Sequence, residues 1–225
     1  TGDGMLTMKC DMAGAATVMA TMKAIAEIKP QVNVIGIYPL TENMPSNDPI
    51  RSRDVINSYA KKTIEVLHTD AEGRLVLADA LSYAEKMYNP KYIIDLATLT
   101  GAAQMALGPN GSPVFSNSKE VVQKLLQASI NTDEPLVEFP LWTKEYDPYI
   151  DSELADVKNI SDKMKFAGAT TAALFLQRFI DKEKTSWAHI DIAGTAFNYE
   201  DKHYKSLGGT GFGVRLLVDF ILNQQ

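Results

Sequence analysis

Several features that would mark a functional class are scarce or missing in this sequence of 225 residues. Its one cysteine, Cys10, cannot form an internal disulfide, which fits a reducing compartment and favours a cytoplasmic protein. No apolar run approaches the roughly 18 to 20 residues of a membrane span. The first residues are polar, whereas a signal peptide is basic and then apolar. The sequence therefore predicts neither export nor a membrane partner.

Positive charge is also in short supply, because 22 Lys and Arg stand against 28 Asp and Glu, for a net charge of −6. A nucleic-acid-binding surface needs a basic footprint, so this balance argues against nucleic acid as a main partner. The three histidines, His68, His189 and His203, have no HExxH spacing, and no GxSxG motif occurs. His189 lies in an apolar run, which favours a role in the core.

The patterns that are present predict an α/β domain. Apolar spacing predicts helices over residues 12–28, 76–87, 120–129, 167–180 and 210–222, and strands over residues 32–40, 63–67, 92–96 and 187–192. This alternation is typical of a three-layer α/β/α fold with a mixed, mostly buried sheet. No repeat or linker divides the chain, so residues 1–225 are expected to form one domain.

The most informative segment, HTDAEGRL at residues 68–75, joins a predicted strand to a predicted helix. If residues 70–74 are extended, Asp70, Glu72 and Arg74 lie on one face. Two adjacent carboxylates repel each other and call for protons or cations between them, and hard divalent cations meet that need. Gly73 leaves room for a ligand, and the helix start offers N–H groups to an anion. The same residues also fit a solvated loop with a local salt bridge.

A further acid, Asp11, stands among small and apolar residues, with Lys9 as a local counter-ion. A charge in such surroundings needs a partner, so Asp11 is a third candidate metal ligand. Asp11 could also cap the helix predicted to begin at Met12, a role worth about 1 kcal/mol. The two roles are compatible.

Three runs carry a family resemblance: MKCDMAGAA at residues 8–16, TDAEGRLVLADAL at 69–81 and ATLTGA at 97–102. They resemble the leucyl aminopeptidase, or cytosol aminopeptidase, family. LADVKNI, AGATTAALFL, WAHIDIAG and GGTGFGVR follow in the family's order, so the resemblance covers essentially the whole chain. TDAEGRLV is its most specific segment.

The resemblance implies a two-metal centre with Asp11, Asp70 and Glu72 as ligands and Glu72 bridging the ions. Arg74 would hold a bicarbonate ion that acts as general base. Three further residues would border that anion: Ala71 and Gly73 through their N–H groups, and Leu99. The pocket for the substrate's N-terminal side chain would be lined by Met8, Thr98, Gly101 and Ala193, each of which could equally be an ordinary packing residue.

The implied reaction is hydrolysis of the first peptide bond of peptides with leucine-type and other apolar N-terminal residues. Two divalent ions would be required, zinc or manganese by family precedent, with magnesium also compatible with oxygen ligands. Family members assemble as hexamers of two trimers, so a homo-hexamer is expected. Some members also have a DNA-binding regulatory role, but the net negative charge of this chain argues against it.

Three departures qualify the resemblance. His68 stands where the family usually has Asn, and Ala196 stands where some relatives have a larger pocket residue. The family's motif of Lys, Asp and a second Lys is expected just before Thr1 and is not in this sequence, which retains three of five metal-ligand positions. The chain is therefore expected to be incomplete. The alternative is a catalytically incompetent fragment or paralogue that serves as an oligomeric scaffold.

Overall fold

The structure, a computed structural model, describes residues 5–44, 46–161, 166–200 and 207–224. Its helices are α1 Ala13–Ile28, α2 Gly73–Tyr88, α3 Gly101–Leu107, α4 Lys119–Thr132, α5 Thr143–Tyr146, α6 Gly168–Gln177 and α7 Val214–Leu222. Its strands are β1 Asp54–Asn57, β2 Thr63–Val66, β3 Tyr92–Ala97, β4 Ser112–Ser116, β5 Leu136–Glu138, β6 Val157–Lys158, β7 Ser186–Asp191, β8 Phe197–Asn198 and β9 Gly208–Gly209. Short 3-10 helices span Met8–Met12 and Asp147–Ile150. None of these helices combines the length and the apolar character needed to cross a membrane.

The central sheet has the strand order β3-β7-β4-β5. Strands β3 and β7 are parallel, β4 runs antiparallel to β7, and β5 is parallel to β4, so the sheet is mixed as predicted. A second sheet, β1-β2-β6, carries the segment that leads to α2. Strands β8 and β9 form a two-stranded ribbon.

Neighbouring residues of the central strands point to opposite faces of the sheet and enter two separate cores. Trp187 and Phe115 pack with α2 and α6, whereas Ala188 and Val114 pack with α4 and α7. Helices therefore cover both faces of the central sheet. This arrangement confirms the α/β fold that the sequence predicts.

The strand predicted over residues 32–40 is wrong. These residues are extended, but they belong to no strand, and no backbone hydrogen bond joins them to any described residue. An apolar alternating pattern favours a strand, yet a strand also needs a neighbour to complete its hydrogen bonds. A cavity separates this segment from β3.

The helix predicted from residue 210 begins only at Val214. Gly211 and Gly213 have φ angles of 68° and 93°, which belong to the left-handed region and interrupt a right-handed helix. The glycines of this segment thus form the turn that leads into α7.

Helix α1 approaches the backbone of β3 at Gly14. A Cβ atom at Gly14 would lie 2.0 Å from the carbonyl oxygen of Leu96, a contact that no side chain can relieve because the neighbour is backbone. We expect Gly14→Ala to destabilise the fold by about 1–3 kcal/mol or more, because the helix must move away from the strand.

Urea denaturation measures that loss, with Gly101→Ala as the matched control. A Cβ atom at Gly101 would meet nothing within 4 Å. We therefore expect the control to leave the free energy of unfolding unchanged or slightly raised. Equal stability of the two variants would contradict the close approach of α1 to β3.

Candidate active site

The three carboxylates predicted as metal ligands come from two separate parts of the fold. Asp11 lies in the 3-10 helix Met8–Met12 that leads into α1. Asp70 lies in the turn after β2, and Glu72 is the residue just before α2. The extended geometry considered for residues 70–74 is wrong, because Glu72 is already helical, with φ −75° and ψ −34°. The turn and the first residues of the helix, not a strand face, bring these groups together.

The charges of the three carboxylates act on one another. Burial raises the pKa of Glu72, and the negative charges of Asp11 and Asp70 raise it further. Burial and the charge of Asp70 likewise raise the pKa of Asp11, although the Thr98 hydroxyl group opposes this by donating a 2.8 Å hydrogen bond to Asp11 Oδ1. The carboxylates therefore face a common space and destabilise one another's charge.

The same space lacks a complete set of cation ligands. Within the described ranges, no three His, Cys, Asp or Glu side chains are close enough to hold a metal ion. However, Glu72 Oε2 is buried and has no hydrogen-bond partner among the described residues. An unpartnered buried oxygen beside two like charges is what a hard divalent cation relieves, so the donor chemistry fits such an ion.

Arg74 lies in the first turn of α2 with only 5% of its surface exposed. Burial lowers its pKa to about 10, although the nearby Asp191 and Glu72 charges oppose this shift. Its Nη1 donates a 2.8 Å hydrogen bond to the carbonyl oxygen of Asn159, whereas its Nε is buried without a partner among the described residues. A buried cation with a free donor fits a small anion.

The backbone N–H groups of Ala71 and Gly73, which are expected to bind the bicarbonate ion, differ in whether they already donate a hydrogen bond. The N–H group of Ala71 donates to the carbonyl oxygen of His68 at 3.2 Å, so it already closes the turn. The N–H group of Gly73 lies at the start of α2, where helical N–H groups lack intrahelical partners. A Cβ atom at Gly73 would lie 3.3 Å from Leu99 Cδ1, so Leu99 does border this turn.

Asn159 is a structural residue of the site that the sequence did not single out. It is completely buried after β6. Its Oδ1 accepts hydrogen bonds from the N–H groups of Leu67 at 2.8 Å and His68 at 3.3 Å, and its Nδ2 donates to the carbonyl oxygens of His68 at 2.7 Å and Ala71 at 3.4 Å. Asn159 thus holds the turn that carries Asp70. Nothing in the run LADVKNI distinguishes it from a surface asparagine.

His68, the departure from the family's usual Asn, also stabilises this turn. Its Nδ1 accepts a 3.2 Å hydrogen bond from the N–H group of Asp70. The side-chain oxygen of an asparagine makes the same bond to the backbone two residues on. The substitution therefore preserves the local geometry at Asp70.

Asp191 is the second residue that the sequence did not single out. Its Oδ1 accepts hydrogen bonds from the N–H groups of Leu99 at 3.0 Å and Ala193 at 3.2 Å, and its Oδ2 accepts one from the Thr100 hydroxyl group at 2.6 Å. One buried carboxylate therefore joins the loop after β3 to the loop after β7. These loops carry two of the residues predicted to line the pocket, Thr98 and Ala193, and the first loop leads to a third, Gly101, at the start of α3.

The structure connects the other residues predicted for the pocket to the site by fewer contacts. Met8 is 45% exposed on the same 3-10 helix as Asp11, and Gly101 is exposed at the start of α3. Ala196 is 4% exposed and packs in the core with α7. A larger residue at Ala196 would therefore disturb the core packing first.

His189 is buried in β7, as predicted for a core histidine. Burial lowers its pKa, but the Asp95 carboxylate, 2.6 Å from Nδ1, and the charge of Asp191 together raise the pKa overall. Asp95 also accepts a 2.7 Å hydrogen bond from Trp187 Nε1. His189 Nε2 has no partner among the described residues. This group of side chains lies inside the core rather than with the carboxylates.

Comparison with known proteins relates this geometry to a family. Residues 1–218 match the model of the cytosol aminopeptidase family, catalytic domain. The chain is similar to three proteins each described as a probable cytosol aminopeptidase. It is 49% identical to that of Chlorobium limicola over 97% of this chain, 50% identical to that of Syntrophotalea carbinolica over 98%, and 47% identical to that of Brucella melitensis over 98%.

The matched regions make up 42%, 43% and 44% of those three relatives. The chain thus spans less than half the length of the curated relatives that it matches. The family model nevertheless covers nearly all of the chain, and the motifs around Asp11, Asp70 and Glu72 lie within it. The chain belongs to the cytosol aminopeptidase family, and its residues 1–218 match the catalytic domain of that family.

Proposed function

We propose that the chain is the catalytic part of a metal-dependent aminopeptidase, which hydrolyses the first peptide bond of peptides with apolar N-terminal residues. The observation that carries the proposal is the buried Glu72 Oε2, which has no hydrogen-bond partner in the described part of the chain and faces the charges of Asp11 and Asp70. Family membership and the printed descriptions of the relatives support the same reaction class.

Asp11, Asp70 and Glu72 would contribute ligands to two divalent ions. Ions bound there would polarise the scissile carbonyl group and supply an activated water. The all-oxygen donor set suits zinc, manganese or magnesium, and the resemblance favours the first two. The Thr98 hydroxyl group would orient Asp11 by the hydrogen bond that it donates to Oδ1.

Arg74 would hold a bicarbonate ion as general base. Its Nε, which no described residue bonds, supports this role, because a buried guanidinium group gains most from a charged acceptor. The N–H group of Gly73 would add a second donor, and that of Ala71 would first have to leave the carbonyl oxygen of His68. Asn159, by accepting from the Leu67 and His68 backbone, keeps the turn that presents these groups in place.

The substrate's N-terminal side chain would lie between the loops after β3 and β7, against Thr98, Gly101 and Ala193, with Met8 on a third side. Asp191 would position two of these walls without touching the substrate. Assembly as a homo-hexamer in the cytoplasm belongs to the same proposal. A purely structural scaffold would have no use for the repulsion between three carboxylates, which weighs against that alternative.

We expect Glu72→Gln in the intact polypeptide to lower activity on leucine p-nitroanilide by at least about 100-fold, more than is lost when a group that merely supports a metal ligand is removed. Bound metal, measured by elemental analysis after dialysis against manganese, should fall as well. Glu27→Gln, a neutralisation of an exposed carboxylate in α1, is the matched control and should change neither quantity. Full activity of Glu72→Gln would overturn the proposal.

In the metal-free protein, neutralising one of these carboxylates should stabilise the fold. In EDTA, we expect Glu72→Gln and Asp11→Asn each to raise the free energy of unfolding by about 0.5–1 kcal/mol, because each removes one of the mutually repelling charges. Chemical denaturation at neutral pH measures this gain, and added manganese should reverse the order of stabilities. A loss of stability in EDTA would show that the carboxylates support the fold rather than a cation site.

We expect Asp191→Asn to raise KM for leucyl substrates roughly tenfold or more while bound metal stays unchanged, because charge-assisted hydrogen bonds worth about 1.5–3 kcal/mol hold the pocket loops. Asp133→Asn, at the exposed C-terminal end of α4, is the matched control. A lower Tm with unchanged KM would mean that Asp191 acts only on the fold.

A further inference from the structure

His189 and Asp95 form a buried pair in the core. His189 on β7 is 0% exposed, and Asp95 lies opposite it on the neighbouring strand β3. His189 Nδ1 and Asp95 Oδ1 are 2.6 Å apart, and Asp95 Oδ2 accepts a 2.7 Å hydrogen bond from Trp187 Nε1. From the other neighbouring strand, Phe115 of β4 stacks on the imidazole ring. These contacts hold the ring in one orientation, with Nδ1 towards Asp95.

Asp191 lies on the same face of β7, two residues after His189. Successive residues of a strand point to opposite faces, so residues 189 and 191 share a side and are about 6.6 Å apart along the strand. Asp191 is 1% exposed, and its two oxygens hold the loops after β3 and β7 by the hydrogen bonds described above. A carboxylate at this depth needs a compensating charge or several donors.

The charges near His189 favour its protonated form. Asp95 on β3 and Asp191 on β7 both raise its pKa, whereas burial and the positive charge of Arg74 on α2 lower it, and the overall shift is upward. Neither β4 nor α6, which pack in the same core, contains a titratable residue. A ring with protons on both nitrogens donates from Nδ1 to Asp95, and its second positive N–H group is then Nε2.

Asp191 depends on that positive charge. Burial raises the pKa of Asp191, and the strongest opposing influence is the charge of His189, followed by the hydrogen bonds from the two loops. A carboxylate accepts hydrogen bonds at both oxygens, whereas a protonated carboxyl group gives up part of this capacity. Without the charge of His189, burial would therefore favour a neutral Asp191 that holds the loops less firmly.

We propose that His189 is a positioning residue: as an imidazolium ion held by Asp95, it keeps Asp191 charged, and Asp191 in turn fixes the loops after β3 and β7. The inference rests on the proposed function and deepens it, because those loops carry Thr98 and Ala193, which are predicted to line the substrate pocket. It assigns a role in substrate binding to a histidine that touches neither the substrate nor the carboxylates.

Solid-state NMR of the intact polypeptide, with histidine labelled by 13C and 15N, tests the charge without any measurement of activity. The Ala188-His189 peptide bond occurs once in residues 1–225, so a 13C label at the alanine carbonyl carbon identifies the signals of His189. We expect both ring nitrogens to be protonated at about pH 8, where an unperturbed histidine is neutral. A single protonated nitrogen at this pH would overturn the inference and leave the proposed peptidase reaction standing.

The pH dependence of KM distinguishes positioning from packing. In His189→Gln the pKa of Asp191 rises further, so Asp191 takes up its proton at a higher pH as the pH falls. We expect the KM of His189→Gln for leucine p-nitroanilide, divided by the KM of the unmodified polypeptide at the same pH, to increase at least about fivefold from about pH 9 to about pH 6.5. The ratio of kcat values should change less than about twofold. A constant KM ratio would mean that His189 only fills space, which overturns the inference.

A second variant and a control make the kinetic test specific. Asp95→Asn removes the counter-ion of His189, so we expect the same rise in KM at low pH. The double variant should be no worse than either single variant, because both changes remove the same charge. Lys23→Gln, which neutralises an exposed cation in α1, is the matched control and should keep a KM ratio of about one throughout. Additive effects in the double variant would overturn the inference, and the NMR measurement decides it even if these variants do not fold.

Discussion

The close approach of α1 to β3 at Gly14 is the constraint on which the site geometry depends. Gly14 lies three residues after Asp11, and its partner, the carbonyl group of Leu96, lies two residues before Thr98. Contact between these backbones therefore brings the 3-10 helix and the end of β3 to the same place. The 2.8 Å hydrogen bond from Thr98 to Asp11 is a direct consequence. A side chain at residue 14 would move the first acid away from the other two.

Two buried polar residues, Asn159 and Asp191, hold the other segments of the site in place. Asn159 satisfies backbone groups on both sides of the turn that bears Asp70, and Asp191 joins the loops after β3 and β7. Both are almost completely enclosed, so their hydrogen bonds are strong and their loss would leave unpaired groups in the interior. The turn that carries Asp70 and the loops after β3 and β7 are therefore held in place by hydrogen bonds to interior side chains. The positions of the candidate site residues on these segments depend on those bonds.

The sequence predicted five of the seven described helices and the central strands β3 and β7, because their apolar periods are long and their ends are marked, but it missed the shorter α3, α5, β4 and β5. It also singled out the residues of the turn at 68–75, but not their geometry, because these residue types fit both an extended segment and a turn that leads into a helix. Residues 32–40 have a strand pattern and no strand, because pairing depends on a neighbour that a local pattern cannot supply. Asn159 and Asp191 were missed for the same reason, since their partners lie about 90 residues away.

By itself, the sequence determined the α/β class and the family, and it singled out the acids and Arg74 as candidate site residues, because those are matters of composition, period and motif. Only the tertiary structure decided that the charges of Asp11 and Asp70 act on Glu72, that a buried oxygen of Glu72 lacks a partner among the described residues, and that a cavity separates β3 from residues 32–39. These facts concern distances between residues far apart in the chain. Such distances follow from how the layers pack, and packing is a property of the folded molecule as a whole.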